Sequence, residues 1–205
     1  IFLKFLASHP QYRNLYWMFV FMIETACRAS EMAGLTFHDI DYEARTVYIN
    51  HQLINTIHEK DSWERQLAIA PPKTYSSNRT IPLSQLAMEA LDMQKQLLQR
   101  KEMLDKHRVD SCRNFIFLTL KGKLWSGGSL NRYLHNIVTA YNEKELAAAH
   151  TSIREPVLLP KITAHVLRHT GCTRMAEAGI DTRTLQEIMG HESLKLTMKV
   201  YNHVD

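Results

Sequence analysis

Cap and stop residues punctuate the last third of the chain so closely that it reads as a row of short helices. Thr163 opens a run that Gly179 ends, Asp181 opens a second that stops at Gly190, and Ser193 opens a third that carries Tyr201. Each opening side chain offers an oxygen to the unpaired N–H groups of a first helical turn. Each glycine tolerates the left-handed backbone on which helices end. The strand signals lie upstream of these helices.

There, Leu15, Met18, Phe19, Met22, Ile23 and Ala26 recur at helical spacing and predict one mostly buried helix that stops at Gly34. Residues 45–50 alternate and are β-branched, which predicts a strand. Residues 66–70 and 79–81 flank the turn-rich segment 75–78 and predict a hairpin. Residues 84–105 form a long amphipathic pattern with Leu86, Ala90, Met93, Leu97 and Leu98 on the inner face. Residues 114–119 read as a short apolar strand or an extended plug, and Gly127-Gly128 as a loop before a helix from Ser129. Residues 143–155 are more polar and stay open, with Pro156 and Pro160 ending whatever they form. The expected class is α+β, mainly α-helical with a small antiparallel sheet, in a single domain over residues 1–205.

With 205 residues, 45% of them hydrophobic, the chain has enough apolar matter for one medium-sized core. Its 25 Lys and Arg against 21 Asp and Glu leave a formal charge of +4, which permits a polyanionic partner without demanding one. Cys27, Cys112 and Cys172 are odd in number and widely spaced, so neither a disulfide framework nor a CxxC metal pair is present. The most apolar stretch, residues 15–23, is far shorter than the ~20 residues of a membrane span and runs into Glu24. No signal-peptide pattern opens the chain. An intracellular, reducing setting with no membrane is therefore expected, and the start inside a helical pattern at Ile1 suggests a longer polypeptide.

The chemistry-bearing residues fall in four segments. In Thr163-Ala-His165-Val-Leu-Arg168-His169-Thr170, His165 and Arg168 stand at i and i+3, so one phosphate could touch both, although such a pair is also common on a solvated face. Met189-Gly190-His191 follows, and Tyr201 lies ten residues beyond that histidine. Upstream are Glu24-Thr-Ala-Cys-Arg28-Ala-Ser-Glu31 and the pair Pro71-Pro-Lys73-Thr74 and Arg79-Thr-Ile-Pro-Leu83. In this order and at these distances, the four segments resemble the catalytic domain of the tyrosine recombinases, the phage integrase family. The resemblance runs over nearly the whole chain and is greatest to integrases of conjugative transposons and related phages.

The resemblance implies a site-specific cut in double-stranded DNA, with the 3′ end held on Tyr201 and then passed to a 5′-hydroxyl, so that a mobile element is integrated or excised. Arg28 and Arg168 would make bidentate, charge-assisted bonds to the non-bridging phosphate oxygens. His165 would take the proton of Tyr201, Lys73 would give one to the leaving 5′-oxygen, His191 would hydrogen-bond the phosphate, and Glu31 would orient the site. Neither a metal nor a nucleotide cofactor is implied. The resemblance also implies a homo-tetramer in a synaptic complex, an accessory directionality factor, amino-terminal DNA-binding domains outside residues 1–205, a further docking segment after Tyr201, and a bacterial cytoplasmic, nucleoid-associated setting. Ala26 stands where many relatives have glycine, and is expected to be tolerated.

Other readings stay open from the sequence. A type IB topoisomerase-like strand transferase would use the same residues. The helices either side of Gly179 superficially resemble a helix-turn-helix, which would suit a non-catalytic DNA-binding regulator. His165 and His169 have the i, i+4 spacing of a zinc pair, but no Glu follows His165 as in HExxH, and Arg168 between them favours phosphate. Trp17, Trp63 and Trp125 suit packing better than base stacking. The cluster from Lys95 to Arg108 is mixed with acids and suits a solvated helix end, and Lys121 and Lys123 could lie on a DNA backbone or in solvent.

Overall fold

The computed structural model describes residues 1–56, 66–72 and 74–201. Helix α1 (Phe2–Ser8) leads through a 3-10 turn into α2 (Tyr16–Thr25), in which every residue from Met18 to Ile23 is buried. A helix that is apolar all round belongs at the centre of a fold. The single helix expected up to Gly34 is in fact two. Ala26 adopts the left-handed conformation with φ 48°, Arg28 is extended, and α3 (Ala29–Gly34) begins afresh. The break was hidden because Ala26 is itself buried and in phase with the apolar repeat. Left-handed backbone costs an L-residue roughly 1–2 kcal/mol, which is why glycine suits this position better than the alanine found here.

Strands β1 (Ile40–Asp41), β2 (Thr46–Ile49) and β5 (Arg79–Pro82) make an antiparallel sheet in the order β1-β2-β5, while β3 (Gln52–Thr56) pairs with β4 (Gln66–Ala70). The expected hairpin between residues 66–70 and 79–81 therefore does not form. Residues Tyr75–Ser77 coil into a 3-10 turn rather than a tight reversal, and each strand finds an upstream partner. Val47 faces Ile81 and Ile49 faces Arg79 in that register.

Helix α4 (Gln85–Arg100) starts where Ser84 Oγ accepts the Ala87 N–H at 3.1 Å. It stops before Asp105, because Glu102 and Asp105 take left-handed φ values of 52° and 53°. Its inner face is Ala87, Ala90, Leu91, Gln94 and Leu98, and Leu86 is exposed, contrary to expectation. After the small hairpin β6 (Arg108–Val109) and β7 (Cys112–Arg113), residues 115–118 form a buried plug bridged to Thr36 through Phe115. Helix α5 (Gly127–Thr151) already includes Gly127-Gly128, which were expected in a loop, and runs unbroken through the polar residues 143–151. Trp125 is buried edge-on to Tyr133, as packing requires, and Trp63 lies outside the described residues.

The three closing helices begin and end where the caps predict. They are α6 (Ala164–Glu177), α7 (Thr182–Met189) and α8 (Leu194–Tyr201), with Thr163, Asp181 and Ser193 side chains each accepting a first-turn N–H. Helix α2 packs between α4 and α6, and α8 packs on α6 and α7. The α2–α6 contact is as close as backbone allows: a Cβ on Gly171 would lie 2.2 Å from Ile23 O. Alanine there would gain about 1 kcal/mol of helix propensity but force two central helices apart. Gly171→Ala is expected to destabilise the fold by a net 1–3 kcal/mol or so, read as a lower urea midpoint. Among the described residues, no helix is long and apolar enough to cross a membrane.

Candidate active site

The break between α2 and α3 places Arg28 at the head of a helix, and Glu31 at the third helical position accepts its backbone N–H at 2.8 Å. The same carboxylate accepts the Arg28 Nη1 donor at 2.7 Å, so backbone and guanidinium are fixed together. Arg28 Nη1 also reaches Ser77 Oγ at 3.3 Å, and Nη2 donates to Gly190 O at 3.0 Å. About a third of the Arg28 side chain remains exposed, so it can meet a ligand.

Arg168 projects inward from α6 and is buried, donating through Nη1 to Ala26 O at 2.6 Å and through Nη2 to Met189 O. Burial, then the charge of Arg28, brings its guanidinium down to about 10, and it stays charged at neutral pH. His165, one turn earlier on α6, is exposed and stands edge-on to His169 with ring centroids 5.1 Å apart. Burial, then His165 and Arg168, lowers the His169 imidazole.

Helix α7 ends on Gly190, whose φ of 59° turns the chain so that His191 enters the same group of residues. His191 Nδ1 is 3.0 Å from Thr197 Oγ1 of α8, which ties the helix ending at Tyr201 to the arginines. Burial, then Arg168 and Arg28, holds the His191 imidazole down to about 4, so it is neutral at pH 7. An unfolded chain takes up this proton near pH 6.5 and the folded one does not. Stability is thus complete above about pH 6.5 and falls as the pH drops toward 4. Urea titrations at pH 7.5 and 5 are expected to show that loss, and His191→Asn to reduce it.

The structure therefore brings Arg28, Arg168 and His191 together, sets His165 on the exposed face of α6 against His169, and ends α8 at Tyr201. Lys73 lies outside the described residues, though Thr74, which follows it, is bonded to Ser77 Oγ at 2.8 Å beside Arg28. Cys27 is buried next to Arg28, and burial pushes its thiol up to about 11, so it is no nucleophile.

Arg79 is the residue that sequence reasoning missed. It is 7% exposed and forks onto Glu31, with Nη1 to Oε1 at 3.0 Å and Nη2 to Oε2 at 2.8 Å. Burial opposes ionisation of Glu31, yet the Arg79 hydrogen bonds and the charges of Arg79 and Arg28 outweigh it and bring the carboxyl to about 2. A signal existed, because Arg79 shares the inward face of β5 with Ile81, and an inward arginine needs a partner. Three guanidiniums against one carboxylate leave surplus positive charge, an arrangement that suits a phosphodiester.

The family model described as the phage integrase family matches residues 2–205. The chain belongs to the phage integrase family. Curated members similar to it include a transposase from transposon Tn916 of Enterococcus faecalis, 32% identical over 98% of this chain and 45% of the relative. A XerC-like tyrosine recombinase of Caldanaerobacter subterraneus is 27% identical over 91% of this chain and 45% of its own length. The Tn1549 transposon integrase, solved in complex with a circular intermediate DNA, matches with a TM-score of 0.80 and 28% identity over 97% of this chain and 57% of that one. The chain thus spans about half the length of the curated integrase-family relatives it matches. The α-rich phage integrase fold with small antiparallel sheets is the one expected from the sequence.

Proposed function

We propose that this chain is the strand-cleaving and rejoining part of an integrase that moves a conjugative transposon or phage into and out of double-stranded DNA. The Tyr201 phenol oxygen attacks a phosphorus, the bond to the 5′-oxygen breaks, and the 3′ end stays on the protein as a phosphotyrosine. Attack by another 5′-hydroxyl then breaks the P–O bond to tyrosine and joins the new strand. The phosphodiester linkage is conserved at each step, so no nucleotide is consumed.

The observation that carries this reading is the meeting of Arg28 and Arg168 on the last turn of α7, beside His191 and the helix that ends at Tyr201. Both guanidiniums take charge that develops on the non-bridging oxygens, and neutral His191 supplies a hydrogen bond there. A phenol of pKa ~10 needs an acceptor, a role we assign to His165, which is exposed on α6. Lys73 protonates the leaving 5′-oxygen. The solved DNA complex of the Tn1549 integrase supports DNA as the substrate. A tetrameric synaptic complex, an accessory directionality factor and a bacterial cytoplasmic, nucleoid-associated setting belong to the same reading.

Incubation with a nicked suicide duplex carrying the element's own end should give a protein–DNA adduct on a denaturing gel, and Tyr201→Phe should give none. An adduct that survives Tyr201→Phe would sink the assignment. Supercoil relaxation without strand exchange would favour a type IB topoisomerase-like enzyme, and DNA binding that never yields an adduct, from this chain or a longer one, would favour a regulator.

A further inference from the structure

Three consecutive carbonyls at the end of α7 each accept from a different arginine. Ile188 O takes Arg79 Nε at 2.6 Å, Met189 O takes Arg168 Nη2, and Gly190 O takes Arg28 Nη2 at 3.0 Å. The last carbonyls of a helix have no partners within it and form the negative end of its dipole, so they are natural seats for guanidinium. The three arginines arrive from β5, α6 and the head of α3, so this one turn gathers the site.

Arg79 differs from the other two. Besides Ile188 O and both Glu31 oxygens, it donates from Nη1 to Ser77 O at 2.9 Å. Four of its five N–H groups are thus spent inside the protein, whereas Arg168 spends two, so Arg79 has little left to offer a phosphate. The space is also closed: a Cβ on Gly190 would lie 3.1 Å from Arg79 Cδ and 3.1 Å from Ser76 O. Stability alone explains such a residue poorly, since an apolar pair of similar volume often serves a core equally well.

We propose that Arg79 is a positioning residue for strand cleavage, locking Glu31 to the last turn of α7 so that Arg28, Arg168 and His191 are presented as one unit. This rests on the strand-cleaving function argued above. Arg79 acts on Arg28 through the shared Glu31 carboxylate, and on Arg168 and His191 through the carbonyl row. Lysine keeps the charge but cannot span Glu31 and Ile188 O at once.

Two variants test the role: Arg79→Lys, and Arg79→Met combined with Glu31→Gln, which leaves an uncharged pair in case the lysine variant folds poorly. Single-turnover cleavage of the nicked duplex is expected to fall about 10²-fold, the usual consequence of misplacing reacting groups by about 1 Å. Affinity for the duplex should stay within about threefold, because the loss falls on the chemical step. Arg28→Lys with Arg79→Lys should be little worse than Arg28→Lys alone, since one acts through the other. Cleavage per folded molecule that stays at the wild-type rate, with only the melting temperature lowered, would overturn the proposal, as would full additivity. If wild-type protein forms no adduct, the strand-cleaving reading is what fails. Arg79 is then still tested by NMR of the guanidinium N–H groups without DNA: ordered Arg28 signals should average in Arg79→Lys, and unchanged signals would refute it.

Discussion

Glu31→Ala is expected to remove about 3–5 kcal/mol of folding stability, the usual cost of stranding a buried charge. Its carboxylate is 2% exposed and serves two guanidiniums, one of which, Arg79, is almost as deeply buried. Alanine would leave Arg79 with carbonyl partners alone, and would take from Arg28 the acceptor of its backbone N–H and its ion-pair partner, leaving its side chain on Ser77 Oγ and Gly190 O. Urea unfolding checks the magnitude. The acid limb of the stability curve gives an independent reading. With its carboxyl at about 2 in the folded chain, Glu31 contributes fully above the ordinary value of 4.5, and its contribution drains away as the pH falls from there toward 2. That limb should be shallower in Glu31→Ala, and an unchanged limb would mean that the carboxylate is not held as described.

Arg168→Lys should lower strand cleavage by about 10²–10³-fold, the range seen when one preorganised donor to a developing charge is lost. The guanidinium bridges Ala26 O on the α2 side and Met189 O on α7, and still has N–H groups to offer a phosphate. An ammonium is a compact point charge with no planar fork, so it can satisfy one carbonyl or the phosphate but not all three. Adduct formation measured over time on the nicked duplex reads the loss. A variant that cleaves at the wild-type rate would remove Arg168 from the site.

Much of this was legible in the residues. The caps at Thr163, Asp181 and Ser193 placed three helices because each is a local decision between a side-chain oxygen and its neighbouring N–H groups. Arg28, Arg168 and His191 could be named from motif order, and the structure brings them together. What failed was non-local. The β4–β5 hairpin was wrong because pairing depends on which strand arrives alongside, and the helix break at Ala26 was masked by a residue that kept the apolar rhythm. Arg79 was passed over for the same reason: its partner Glu31 is 48 positions away, and no spacing rule links them. Lys73 remains an inference from its motif, as does the part played by the Tyr201 side chain.

The row of carbonyls at the end of α7 also bears on how fast the site becomes competent. Surface arginines that must be frozen when a ligand arrives lose about 0.5–1.5 kcal/mol of rotamer freedom each. Here Arg28 and Arg168 are held on Gly190 O and Met189 O, protein partners that need no ligand to fix them. The helix terminus acts as a resting partner whose partial negative charge keeps two cations side by side against their mutual repulsion. A phosphodiester bound as proposed would meet a cradle whose two guanidiniums already have fixed seats. If the proposed strand cleavage holds, its rate should not depend on these two arginines finding their places.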